Sequence, residues 1–131
     1  MQVLIVDDDP LIHEILSAVL RKALGSVEVL VVSDLDAAFQ RLAHHKEPDL
    51  ALLDLGLPGQ SGLDSLRRFR WKFPQVPVVV VSANEDRLAV RSALGAGAMG
   101  YIPKSTSPEV MVEALKKVAA GGKYVPPEPE S

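Results

Sequence analysis

Five short apolar runs recur along the chain, and each stops at polar or turn-forming residues: Val3–Val6, Val27–Val32, Leu50–Leu53, Val76–Val81 and Met99–Ile102. Apolar runs this short, without polar alternation, read as strands covered on both faces. Between them the apolar residues change to helical spacing. Leu11, Ile12, Ile15, Leu16, Val19, Leu20, Ala23 and Leu24 mark a first helix, which opens at Asp9-Pro10 and stops at Gly25. Leu35, Ala38, Phe39, Leu42 and Ala43 mark a second, capped by Ser33 or Asp34. Leu63, Leu66 and Phe69 point inward from a third, predicted over about Ser61 to Phe73, whose other face carries Arg67, Arg68, Arg70 and Lys72. A fourth, Glu85 to Ala96, has Leu88, Ala89, Ala93 and Leu94 inside but ends in the weak helix formers Gly95-Ala96-Gly97-Ala98. The last places Val110, Met111, Ala114, Leu115, Val118 and Ala119 on one face, and Gly121-Gly122 ends it. It begins with a Thr106–Glu109 capping box or with Ser107 capping ahead of Pro108.

Strands alternating with single helices five times predict an α/β fold, a parallel sheet with helices on both faces and right-handed crossovers. The stretch from Gly121 onward, rich in Pro and Glu, reads as a linker or tail (121–131) after a domain spanning 1–120.

The ends of the runs carry the chemistry. Asp7 and Asp8 follow the first, Asp54 ends the third, Ser82 follows the fourth and Lys104 the fifth. Parallel strands bring these ends to one edge, where open α/β sheets hold their ligands. Three like charges there repel unless a cation joins them. Mg²⁺ suits such a set, since it takes oxygen ligands, keeps waters and binds through one or two carboxylates plus phosphate. Asp54 could then act as a nucleophile toward phosphorus. Mg²⁺ and the Lys104 ammonium would neutralise the phosphoryl oxygens, and the Ser82 hydroxyl would donate to them.

Composition narrows the field further. A net charge of −3 gives no sign of broad attraction to nucleic acid or membrane. Without Cys there is neither a disulfide framework nor a thiolate metal site. The first residues lack the charge and length of a signal peptide, and no apolar stretch approaches the ~20 residues of a membrane helix. A soluble, cytoplasmic protein is the expectation.

The set Asp7-Asp8, Asp54, Ser82 and Tyr101-x-x-Lys104, in this order on a five-fold β/α chain, resembles the CheY-like receiver domain of bacterial two-component response regulators. The likeness covers roughly residues 2 to 120. It implies a flavodoxin-like sheet of strand order 2-1-3-4-5 with five helices. It also implies that Asp54 takes a phosphoryl group from a sensor histidine kinase or phosphotransfer protein. Asp7, Asp8, Asp54 and the Gly56 carbonyl would bind Mg²⁺, Lys104 would contact the phosphoryl group, and Ser82 and Tyr101 would move inward as switch residues. The surface of the fourth helix, last strand and last helix would then control homodimerisation or an output domain. Asp54-Leu55-Gly56-Leu57-Pro58-Gly59, Gly97-Ala98-x-Gly100-Tyr101 and Gly121-Gly122-x-Tyr124-x-Pro126 are similar to NarL/FixJ-type regulators, which carry a LuxR-type helix-turn-helix domain. DNA contact is expected only through such a domain, and none is present in these residues. Many receivers follow the lysine with Pro, often cis; here Ser105 follows, and a cis bond there would cost ~3–4 kcal/mol.

Plainer readings stand beside these. Asp9 is a helix cap, and His13, His44 and His45 show no ligand spacing and read as surface or helix-face residues. Trp71 reads as a packing residue, and the Arg67–Lys72 stretch as a solvated face. Two rival functions remain. A phosphatase of haloacid dehalogenase type also uses a strand-end Asp and Mg²⁺, but it wants a second Asp where Gly56 stands, and the chain lacks a substrate cap. A pseudo-receiver would mediate contacts alone, and the intact acidic set argues against it. A signalling domain rather than a turnover enzyme is the expectation.

Overall fold

A computed structural model describes residues 1–56 and 62–127. The Leu57-Pro58-Gly59 turn and Ser61 of the sequence reading lie outside them. The elements follow in the order β1 (Gln2–Val6), α1 (Pro10–Leu24), β2 (Glu28–Val32), α2 (Leu35–Leu42), β3 (Leu50–Leu53), α3 (Gly62–Lys72), β4 (Val78–Ser82), α4 (Arg87–Gly95), β5 (Gly100–Pro103) and α5 (Pro108–Ala119). The five strands are all parallel, in the order β2-β1-β3-β4-β5. This is the doubly wound sheet that the alternation of elements predicts.

Alternate residues of each central strand feed opposite layers. Leu4, Val6, Ala51, Leu53, Val78 and Val80 pack with α2, α3 and α4, around a Phe39–Phe69–Phe73 aromatic group. Val3, Ile5, Leu50, Leu52, Val79 and Val81 pack with α1 and α5. Burial on both faces explains why these strands contain no polar residue until their ends. Register does the rest: Val6 lies beside Leu53, so β1 and β3 finish level, and β4, whose Val80 lies beside Leu53, runs on to bring Ser82 to the same edge.

Local chemistry sets the helix starts. Asp9 accepts from Leu11 N at 3.0 Å ahead of Pro10, Asp34 rather than Ser33 caps α2 through Ala37 N at 2.7 Å, and Ser107 rather than Thr106 caps α5. α4 begins two residues later than the pattern suggests. Asn84 Oδ1 takes the Asp86 N–H at 2.9 Å and Asp86 takes that of Leu88, so 84–86 form turns before the helix can start. Similarly, Val76 bonds back to Phe73 O in a turn, so β4 starts at Val78 and runs on to include Ser82. All described peptide bonds are trans, Lys104–Ser105 included.

Several apolar residues assigned to the inside are on the surface instead: Leu11, Ala43, Leu88, Val110, Ala119 and, at 89% exposed, Trp71. Each sits at the margin of its helix's apolar stripe, where small differences in rotation decide burial. The chain past α5 also differs from a bare linker. Tyr124 bridges to Gly100 in parallel fashion, donating its N–H to Met99 O at 3.0 Å and accepting from Tyr101 N at 3.2 Å. This covers part of the outer edge of β5, which otherwise presents unpaired backbone groups.

Candidate active site at the carboxyl edge of the sheet

Asp7 and Asp54 occupy equivalent places, each one residue past the end of its strand. Their backbone N–H groups still pair across the sheet, Asp7 N to Val32 O at 3.1 Å and Asp54 N to Val6 O at 3.0 Å. The side chains therefore leave a rigid edge rather than a loose loop. Both are buried; Asp8 beside them is exposed. One carboxylate oxygen from each of Asp7, Asp8 and Asp54 lies within 4.8 Å of the others.

Lys104, just past β5, reaches across to both buried acids. Its Nζ is 3.0 Å from Asp7 Oδ2 and 3.2 Å from Asp54 Oδ2. The second carboxylate oxygens are held by backbone donors: Gly56 N to Asp54 Oδ1 at 2.9 Å and Asp9 N to Asp7 Oδ1 at 2.9 Å. Lys104 satisfies Asp54 Oδ2 with a true hydrogen bond, whereas its contact with Asp7 Oδ2 has ion-pair distance without hydrogen-bond direction. Asp7 Oδ2 is thus a buried oxygen lacking a directed donor, a condition that needs a physical reason. Burial pushes the Asp7 carboxyl up from its ordinary value, with the Asp54 charge adding to the effect, against the Asp9 N–H and Lys104. Burial would lower Lys104, but Asp7 and Asp54 together outweigh it, and the ammonium is held above its usual range.

Three carboxylates facing one ammonium leave the cluster net negative. With a buried Asp7 oxygen that Lys104 meets as an ion pair and the exposed Asp8 carboxylate alongside, the donor set fits a hard divalent cation. Gly56 joins the site through its N–H and carries no carboxylate, so the second acid of the phosphatase pattern is missing.

Ser82 and Tyr101, read from the sequence as switch residues, form a chain of their own. Ser82, buried at the end of β4, accepts from Asn84 N through Oγ at 3.1 Å, which leaves its hydroxyl hydrogen to be donated elsewhere. Lys104 N donates to Ser82 O at 2.8 Å, tying the two strand ends together. Tyr101 is fully buried, and its hydroxyl donates to Asn84 O at 2.6 Å. An inward movement of Tyr101 was the expectation from sequence; in this conformer the ring is already inside. Asn84 was missed, because an Asn in a turn is ordinary and nothing in the sequence pairs it with residue 101. His13 was also missed as a site neighbour: from the first turns of α1, its Nε2 bonds to the Asp7 carbonyl oxygen. The signal available was its helix position, since helical side chains lean toward the N-terminus. His44 and His45 are exposed, as read.

A doubly wound sheet of this strand order, with paired acids, a strand-end Asp and a lysine gathered on its carboxyl edge, defines the CheY-like receiver class. Comparison with known proteins makes the assignment definite. Residues 3–116 match the response regulator receiver domain, and the chain belongs to that family. It is similar to a glycerol metabolism activator of Pseudomonas putida, with 39% identity over 97% of this chain and 58% of the relative. It is likewise similar to the nitrate/nitrite response regulator protein NarP of Escherichia coli, with 35% identity over 93% of this chain and 56% of the relative. The chain therefore spans somewhat over half the length of these relatives. Among solved structures, a LuxR family DNA-binding response regulator from Silicibacter pomeroyi superposes with a TM-score of 0.83 and 31% identity, covering 97% of both chains. The isolated receiver domain of RcsB from Salmonella enterica serovar Typhimurium, in the presence of phosphomimetic BeF3−, shares the fold (TM-score 0.87, 23% identity, covering 98% of this chain and 94% of that one). The chain is a receiver domain of the two-component response regulators, a signalling domain, and neither rival reading is favoured.

Proposed function

We propose that Asp54 is the phosphoacceptor, taking the phosphoryl group of a phosphohistidine on a sensor kinase or phosphotransfer protein in a Mg²⁺-dependent reaction. The observation that carries this reading is the double hold on Asp54: Gly56 N on Oδ1 and Lys104 Nζ on Oδ2, at 2.9 and 3.2 Å. Both interactions keep the carboxylate aimed. In the step itself a P–O bond forms to Asp54 as the P–N bond of the donor breaks, and the imidazole leaves with the electron pair and takes up a proton. Mg²⁺, held by Asp7, Asp8, Asp54 and the Gly56 carbonyl, would supply charge neutralisation at the phosphoryl oxygens. Lys104 would move its ammonium from Asp54 to a phosphoryl oxygen, and Ser82 would donate its hydroxyl to another.

Phosphorylation adds charge and acceptors beside Ser82. With Ser82 and Tyr101 both bonded to Asn84, the β4–α4 turn is the first segment to respond, and the change spreads over the α4–β5–α5 surface. That surface would set homodimerisation or contact with a DNA-binding output domain, with residues 1–120 acting as the receiver and 121–131 as the connection. The domain would work in the cytoplasm and turn over no substrate; among the described residues no helix is long and apolar enough to cross a membrane. The test is incubation with acetyl phosphate and Mg²⁺, followed by intact mass and by mapping of the modified residue after borohydride reduction. One phosphoryl group per chain on Asp54, none on Asp54→Asn and none with EDTA are expected. Equal labelling of Asp54→Asn would overturn the assignment, and continuous hydrolysis of a phosphomonoester would favour the phosphatase.

A further inference from the structure

Asp8 differs from its two partners in how it is placed. Asp7 is fixed by Asp9 N and Lys104, and Asp54 by Gly56 N and Lys104. Asp8 is exposed, and among the described residues its carboxylate has no hydrogen-bond or ion-pair partner. Its aim is therefore set by the backbone that carries it, foremost the Asp7–Asp8 peptide unit. The carbonyl of that unit belongs to Asp7, and it is the group that His13 Nε2 bonds.

His13 is built into position for this contact. It lies in the first turns of α1, where its own N–H bonds Asp9 O at 3.2 Å, and its side chain leans back over the β1–α1 turn. The ring is half-buried, which limits its rotation. A carbonyl can only accept, so Nε2 carries the hydrogen. The turn is thus pinned on both sides of the Asp7–Asp8 peptide: Asp9 N and the Asp9 cap hold its far side, and the imidazole holds its carbonyl.

We infer that His13 is a positioning residue for the acidic pair, fixing the Asp7–Asp8 peptide so that the Asp8 carboxylate faces the cation beside Asp7 and Asp54. The inference deepens the metal reading above and rests on it. Groups that orient ligands without touching the metal change affinity by about 10–100-fold when removed. An imidazole that acts through a ligand's neighbouring peptide belongs at the lower end of that range.

The experiment compares wild type, His13→Leu and His13→Gln by titration calorimetry with Mg²⁺ alone, and by amide exchange of the cation-free proteins. The glutamine amide can replace the Nε2–H donor; leucine keeps much of the buried shape and none of the donor. His13→Leu should weaken Mg²⁺ binding about tenfold, and its Asp8 and Asp9 amides should exchange faster than those of wild type. His13→Gln should stay within about threefold of wild type in Mg²⁺ affinity. Wild-type affinity in His13→Leu, or an equal loss in both variants, would overturn the positioning role while leaving the metal site standing. Absence of Mg²⁺ binding by wild type would overturn the metal reading itself, and this role with it.

Discussion

Replacing Tyr101 by Phe removes a single buried hydroxyl and leaves the ring where it is. The hydroxyl donates to Asn84 O at 2.6 Å, and the ring is fully buried in the same core cluster as Val90 and Ala93 of α4. A typical intramolecular hydrogen bond contributes ~0.5–1.5 kcal/mol net, with a larger loss when the abandoned partner stays buried. Asn84 is exposed, so water can reach its carbonyl, and the loss should be about 1 kcal/mol. For a domain of this length that corresponds to roughly 3–5 °C in Tm. Tyr101→Leu also opens a cavity and should cost about 2–4 kcal/mol. The two effects separate in urea denaturation with an unchanged m-value. The hydroxyl also has a local consequence, because Asn84 in turn bonds Ser82 Oγ and the Asp86 N–H. Amides of Asn84 and Asp86 should exchange several-fold faster in Tyr101→Phe, while those of β1 and β3 should not change. A Tyr101→Phe variant with wild-type stability and wild-type exchange at 84–86 would refute the claim that this hydroxyl anchors the turn.

Asp7→Asn should stabilise the cation-free protein by on the order of 1 kcal/mol, since it removes a buried charge with an undirected oxygen. It should also lose most of the ~2.7 kcal/mol that a cation at a hundred times its Kd would add, read as the shift in Tm with Mg²⁺. The pH dependence follows from the raised Asp7 carboxyl: the folded state binds this proton more tightly than the unfolded chain, so this group contributes stability at low pH that is lost as pH rises through its folded value. The advantage of Asp7→Asn should accordingly be largest at neutral pH and shrink on acidification; a constant difference would exclude that cause. Gly100→Ala would set a Cβ 3.3 Å from Val118 Cγ2 and 3.4 Å from Tyr124 Cβ, and should cost about 1 kcal/mol in urea titrations. Less than half that cost should remain in a Val118→Ala background, which removes Cγ2, and strict additivity would show that Val118 is not what crowds the position. Trp71→Ala should change stability by less than about 0.5 kcal/mol by thermal melt, because the indole is 89% exposed.

Much of the site was legible because it sits at strand ends. Each of Asp7, Asp54, Ser82 and Lys104 stands where an apolar run stops, and parallel pairing converts that shared position along the strands into proximity. The cap Asp9, and Ser107 as one of two candidates, were legible for a similar reason, since an N-cap needs only its own helix's N–H groups. Asn84 and His13 were not, because each acts through a backbone carbonyl: Asn84 offers its own to a hydroxyl seventeen residues away, and His13 bonds one belonging to Asp7.

The amino-acid sequence by itself determined the five strands, their parallel order of use and the chemistry offered at their ends, because burial on two faces and capping are local demands on residue type. The tertiary structure alone decided which marginal apolar residues face water, as with Trp71, Leu88 and Val110. It alone brought Lys104 to Asp54 across fifty residues of sequence, left Asp7 Oδ2 without a directed donor and laid Tyr124 along β5. These depend on distances of a few tenths of an ångström and on helix rotations of a few tens of degrees. Such quantities emerge only when all the layers pack at once.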